Sequence, residues 1–214
     1  MHFASLSVTF AVQRKSMLKI TELKKHLKPG EVYRRSDLAQ WSNAVDRHVS
    51  SLLKDGTLEK LKTGLYYYPS KSVFGNLPPK EVALVRAFLR DDYFLISSLN
   101  DYNSLGVGTT QLYNKRVVYN HKRHGDFKLG GRTYTFLAKH RFPKKATPEF
   151  LLVDLVSNLD KLAEDAEFVL KNVKAKVKSM DLKKLKRALQ EFGSVRAKSF
   201  FIPLFQQLEA THAK

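Results

Sequence analysis

Apolar residues recur at helical spacing three times in the first quarter of the chain. Leu18, Ile20, Leu23 and Leu27 predict a helix that begins after Ser16 and stops at Pro29-Gly30. The short run EVYRR reads as extended, and Ser36 is expected to cap a brief helix over DLAQW. A third helix is predicted after Ser42 as its cap. On it Val45, Val49, Leu52 and Leu53 form one apolar stripe, with Asp46 and His48 on the flanks. Asn43, Arg47, Ser50, Ser51 and Lys54 fall on the opposite face, which carries no acid. The run GTLEKLKTGLYYYP then alternates about a turn near Lys62-Thr63-Gly64, as a hairpin does. Helix, strand, helix, helix, hairpin is the order of a winged helix-turn-helix. In that motif the second helix of the pair enters the major groove and the hairpin lies on the backbone.

Downstream the pattern changes. Three prolines and a glycine between Pro69 and Lys80 predict a linker, placed at residues 71–80. A helix over Glu81 to Leu89 leads into YFLISS, a buried strand. Val117 to Tyr119 predict another strand, and Phe127 to Leu129 with Tyr134 to Leu137 flank a Gly130-Gly131 turn. Thr147-Pro148-Glu149 supplies a cap, a proline at the first helical position and an acid in the first turn. The apolar run that follows is expected to be a core helix. Two basic amphipathic helices come next, the second ended by Gly193. Pro203 is expected to kink or shorten the last element. The fold class expected is α+β: an N-terminal extension over residues 1–16, a winged helix-turn-helix over 17–70, the linker, and a mixed α/β domain with a helical tail over 81–214.

Charge sharpens this picture. The 214 residues hold 38 Lys+Arg against 20 Asp+Glu, a net charge of +18, which favours a polyanionic partner. On the predicted third helix Arg47 can bond guanine bidentately and Asn43 can pair with adenine. Ser50, Ser51 and Lys54 are suited to phosphates, as are Lys60, Lys62 and Thr63 on the hairpin and Arg34, Arg35 and Ser36 before the second helix. A second basic stretch, Lys115 to Lys145, holds ten basic residues and one acid, Asp126. With no cysteine, disulfides and thiolate metal sites are excluded, which fits a reducing cytoplasm. The opening residues lack the charge and cleavage pattern of a signal peptide, and no run is long enough for a membrane helix.

Catalytic signals are weak. Gly106-Val107-Gly108-Thr109-Thr110 is glycine-rich, but no lysine follows as in a phosphate-cradling loop, so a plain turn is expected. His121 and His124 lie three apart without further ligands to complete a metal set, and a solvated basic loop is expected there. No enzyme, metal or cofactor is expected.

Several stretches resemble one family. LKDGTLEKLKTGLYYYP is similar to the winged-helix start of AbiEi-type antitoxins of type IV toxin–antitoxin, or abortive-infection, systems. SVFGNLPP, SSLNDYNSLGVGTTQLYNKRVVYNHKRHG and FLLVDLVSNL resemble the middle signatures of one branch. The resemblance spans roughly Met17 to Phe201. It implies an N-terminal domain that represses its own operon by binding promoter DNA, with Arg47, Lys60 and Lys62 the positions carried over. It also implies a C-terminal domain that counters a nucleotidyltransferase-type toxin without needing a stable complex. Lys115, Arg116, Lys122 and Arg123 are the expected antitoxin surface, facing nucleic acid or an acidic patch. Two rivals stay open: a stand-alone transcription factor with a ligand-sensing or dimerising second domain, and a nucleic-acid-processing enzyme built on Tyr113 to His124.

Overall fold

A computed structural model describes residues 19–212, so the expectations for residues 1–16, Ser16 and Leu18 lie outside the described residues. The chain is α+β and divides into two compact units. The first comprises residues up to Asp92 together with 128–132, and the second comprises 93–127 and the residues after 132.

In the first unit, helix α1 (19–26) is followed by strand β1 (Val32–Arg34), helices α2 (Arg35–Ala39) and α3 (Val45–Lys54), and strands β2 (Glu59–Lys62) and β3 (Leu65–Tyr67). The strands form an antiparallel sheet of order β1-β3-β2, with Val32 opposite Tyr67 and Glu59 opposite the same residue from the other side. Leu23, Leu38, Val49, Leu52 and Leu58 are buried together. Each such side chain contributes about 1.5–3 kcal/mol when fully removed from water.

Local chemistry departs from expectation at both short-helix starts. Ser36 does not cap α2. The Arg34 amide donates to Asp37 Oδ2 at 2.9 Å, so the acid three residues on closes the first turn. Ser42 does not cap α3 either. It accepts the Ala44 amide at 3.2 Å, and its hydroxyl meets His48 Nδ1 at 2.7 Å. His48 is therefore buried rather than on a flank, because position 48 lies one turn beyond Val45 on the inward stripe.

Residues 71–80, expected as a linker, fold back on the first unit. Strands β4 (Lys71–Ser72) and β5 (Gly75–Asn76) pair. The Tyr67 hydroxyl donates to the Leu77 carbonyl at 2.8 Å, and Asn76 Nδ2 donates to Glu59 Oε1 at 2.8 Å. Helix α4 (Glu81–Leu89), expected in the second domain, also belongs to this unit, since Arg34 Nε donates to the Ala87 carbonyl. The expected boundary at residue 80 thus gives way to one after Asp92.

The second unit holds a four-stranded sheet of order β6-β7-β9-β8. Its strands are β6 (Leu95–Ser98), β7 (Arg116–Asn120), β8 (Gly125–Leu129) and β9 (Arg132–Ala138). β7 runs antiparallel to β6 and parallel to β9, with Val118 opposite Ile96 on one side and Phe136 on the other. The β8–β9 tip, residues 128–132, groups with the first unit. A 3₁₀ helix (Leu99–Leu105) follows β6, opened by Ser98 and Asp101 acting as a capping box.

Helix α5 (Pro148–Ser157) begins as expected: Thr147 Oγ1 accepts the Phe150 amide at 3.2 Å. It is the core helix, with Phe150 to Val156 buried without a break. Helices α6 (Ala166–Val177), α7 (Leu182–Phe192) and α8 (Val195–His212) follow. Pro203 does not shorten α8. Its ring removes the hydrogen bond to the Ser199 carbonyl, and both residues are exposed, so water can take that acceptor. Among the described residues no helix is long and apolar enough to cross a membrane.

Candidate nucleic-acid interface

Helix α3 turns Val45, His48, Val49 and Leu52 inward and leaves Arg47, Ser50 and Lys54 exposed, with Asn43 exposed in the preceding turn. Ser51 is half-buried and donates back to the Arg47 carbonyl at 3.2 Å, so its hydroxyl is partly committed within the helix. Asn43 Oδ1 accepts from Lys19 Nζ at 3.5 Å, a contact at the limit of a hydrogen bond. Arg47, Ser50 and Lys54 thus share a cationic strip without a carboxylate.

Beside it, Arg35 and Asp46 form a two-point ion pair, with Nε–Oδ1 at 2.6 Å and Nη2–Oδ2 at 2.5 Å. The pair holds the Asp46 carboxyl below its ordinary range and the Arg35 guanidinium above its own. Arg35 is therefore engaged, and it braces the start of α2 against α3. Ser36 is exposed in the first turn of α2. Arg34 is half-buried and bonded to α4, and burial lowers its pKa. Its expected phosphate contact gives way to an anchoring role, because the guanidinium satisfies a carbonyl inside the unit.

The β2–β3 hairpin presents Lys60 and Thr63 to solvent, and Gly64 makes the turn at φ 74°. Lys62 is half-buried, with its ammonium 5.1 Å from the centre of the Phe88 ring.

The second basic group is not one cluster. Lys115 and Arg116 lie at the start of β7, and Lys122 and Arg123 follow its end. Four residue steps of strand, roughly 13 Å, separate Arg116 from Asn120. At the far end Asn120 Oδ1 accepts the amides of Lys122 and Arg123 at 2.8 and 2.6 Å, fixing that turn. His121, expected in a solvated loop, stacks on Tyr93 at 5.3 Å and lies 4.8 Å from Phe142.

The sequence reading missed a buried polar network in this unit. Asp154 is 3% exposed. Its Oδ2 accepts the hydroxyls of Tyr102 at 2.9 Å and Tyr119 at 2.8 Å, and Lys139 Nζ lies 3.6 Å from Oδ1. Asn158 Nδ2 donates to the Tyr102 hydroxyl at 3.2 Å. Burial first, and then the Asp154 charge, push both phenols well above their ordinary pKa, so both act as proton donors. The readable signal was a single acid inside the apolar run FLLVDLV.

The fold and these surfaces define a basic α+β protein of two units. Residues 19–195 match the model of a family of unknown function, DUF6088, and the chain belongs to that family. Among solved structures it is similar to that of the RV2827C protein from Mycobacterium tuberculosis. The two share 15% identity over 87% of this chain and 74% of the other, with a TM-score of 0.54, a likeness of fold alone. No curated protein matches it.

Proposed function

We propose that the first unit is a winged helix-turn-helix that binds the promoter DNA of its own operon as a repressor. The observation that carries this reading is the exposed, acid-free strip of Arg47, Ser50 and Lys54 on α3, followed in the chain by a hairpin that exposes Lys60 and Thr63. In this reading α3 enters the major groove, β2–β3 is the wing on the backbone, and the helix reads bases through Arg47 and Asn43. Resemblance in sequence to AbiEi-type antitoxins supports the second half of the proposal. The second unit counters a nucleotidyltransferase-type toxin without needing a stable complex, in the cytoplasm.

The test has two arms. Full-length protein is titrated on labelled DNA from upstream of its gene and on random DNA. Arg47→Ala is expected to cost about 1–3 kcal/mol at the specific site and less on random DNA. Absence of any preference for the upstream DNA overturns the repressor reading. In the second arm, cells expressing a nucleotidyltransferase-type toxin from the adjacent gene are rescued by this protein. Failure of rescue by a folded, expressed protein overturns the antitoxin reading and leaves the DNA arm untouched.

A further inference from the structure

One face of the central sheet in the second unit is only partly covered. Odd-numbered positions of β6, β7 and β9 share that face, and the register sets them in two rows. Leu95, Tyr119 and Leu137 form one row, and Ser97, Val117 and Thr135 form the next. Tyr119 in the first row is held by Asp154 of α5. The second row carries short side chains and opens into a cavity of about 310 Å³. That volume is at the small end of the range for ligand pockets.

The chemistry of the walls is one-sided. Leu99, Val117 and Leu137 provide apolar surface, and Tyr102, Tyr113 and Tyr119 provide aromatic surface. Lys115 and Lys161, both exposed, stand at the edge, and no Asp or Glu lines the space. Four carboxylates lie next to the walls, each already accepting hydrogen bonds: Asp101 takes the Ser97 hydroxyl at 3.0 Å and Asp126 the Thr135 hydroxyl at 2.6 Å. Asp154 is held by two phenols and Lys139. Glu164 accepts the Tyr113 hydroxyl at 2.7 Å and the amides of Thr110 and Gln111. Lys161 Nζ makes a 2.8 Å hydrogen bond to Asn158 Oδ1, a neutral partner that places the ammonium without cancelling its charge.

The cavity also gathers two of the four stretches that stood out in the sequence. Ser97, Ser98, Tyr102, Tyr113 and Lys115 come from one, and Asn158 comes from the other. The tyrosines are pre-oriented, since the hydroxyl hydrogens of Tyr102 and Tyr119 are fixed on Asp154 and their rings cannot swing out without breaking that bond. Pre-organised walls lower the ordering cost of binding.

We infer that this cavity is a binding site for a small organic anion, its compact body against Val117, Leu137 and the tyrosine rings and its phosphate or carboxylate between Lys115 and Lys161. The inference is independent of the DNA proposal, because no part of the site lies in the first unit, and although it shares Lys115 with the expected antitoxin surface, its test reads ligand binding and not toxin rescue.

The test is calorimetric titration of the full-length protein at low ionic strength with ribose 5-phosphate and with benzoate, each beside its uncharged counterpart, ribose or benzyl alcohol. At least one anion is expected to bind with one-to-one stoichiometry while its neutral counterpart does not. The two arms distinguish a phosphate from a carboxylate headgroup. Lys115→Ala and Lys161→Ala should each weaken binding about 10-fold, the effect of losing one charge-assisted contact. Lys178→Ala, on a remote exposed lysine, should leave it unchanged. Thr135→Leu should block the cavity. If that variant does not fold, the lysine variants decide alone. Failure of both anions to bind at millimolar concentration overturns the inference. So does binding that Lys178→Ala weakens as much as Lys115→Ala and Lys161→Ala do, since that outcome marks diffuse charge attraction.

Discussion

Replacing Asp154 by alanine isolates the network that joins α5 to the sheet and the 3₁₀ helix. The carboxylate accepts two phenol hydroxyls whose residues are 1% and 2% exposed, Tyr102 and Tyr119. Without it both donors are stranded, and each stranded buried donor costs about 1–3 kcal/mol. Lys139 adds little, because its side chain is 37% exposed and its ammonium can turn to water. The Asn158 contact softens the loss at Tyr102 only slightly, since Asn158 Nδ2 donates to that hydroxyl and cannot accept from it. The expected total is about 3–5 kcal/mol, in the range for breaking a buried charged cluster from one side. Tyr119→Phe removes one donor and leaves the acceptor served by Tyr102 and Lys139, so it should cost only about 1 kcal/mol.

Urea unfolding followed by far-UV circular dichroism measures both variants, because the long helices α5 to α8 lie in the second unit. A loss below about 1 kcal/mol for Asp154→Ala would refute the reasoning, since two stranded donors cannot cost so little. A Tyr119→Phe loss equal to that of Asp154→Ala would also refute it, because the network would then hang on one bond.

Three further outcomes are expected. His48 is buried beside Ser42, and burial with the charges of Arg47 and Lys19 holds its pKa below the ordinary value. The unfolded chain therefore takes up a proton that the folded chain refuses, and the first unit loses stability as pH falls through about 6.5. The fluorescence of the sole tryptophan, Trp41, should follow that loss, and His48→Leu should flatten it. Asp46→Asn releases Arg35 from its ion pair, so binding to DNA of any sequence should strengthen and the salt slope should steepen by about 1; an unchanged slope counts against Arg35 reaching phosphate. Gly108→Ala puts a side chain at φ 88° with its Cβ 2.6 Å from Phe168 Cε1. Phe168 is exposed and can give way, so the cost should be the backbone's, about 1–2 kcal/mol, read as a lowered melting temperature.

The order α1–β1–α2–α3–β2–β3 was readable because the helices and the β2–β3 hairpin are each set by neighbours within a turn or a hairpin; β1, which pairs with distant β3, showed only as an extended run. Its failures were local too. Ser42 and Ser36 had the right residue type for caps, but Asp37 and His48 offered each start a better hydrogen bond. The Ser98-to-Asp101 spacing was a capping box in plain view that marked the 3₁₀ helix. Residues 71–80 looked like a linker by their prolines, and nothing in composition reveals that Tyr67 and Glu59 reach out to hold them. The Asp154 network was beyond reach for a different reason. Its partners lie 52 and 35 positions away, and only the packing of α5 against the 3₁₀ helix and β7 brings them together.

The net charge of +18 bears on how the DNA proposal must be tested. Several carboxylates accept hydrogen bonds from neutral donors, and others pair with Lys or Arg, as Asp46 does with Arg35 and Asp160 with Arg196. Asp37, Asp101, Asp165 and Asp181 accept backbone amides at helix starts, where the helix dipole favours a negative charge. Glu164 and Asp154 serve amides and phenols. With 38 Lys+Arg against 20 Asp+Glu, cations stay in excess even where every acid is paired. The molecule therefore attracts any polyanion through a diffuse term that has nothing to do with α3. That term falls steeply as salt rises, because each phosphate neutralised releases counterions. A base contact from Arg47 depends on geometry and survives the salt that removes the diffuse attraction. The decisive comparison of Arg47→Ala with the native chain is thus the one made at salt high enough to abolish binding to random DNA. If the difference between the two proteins vanishes there, Arg47 was part of the diffuse charge and α3 reads nothing.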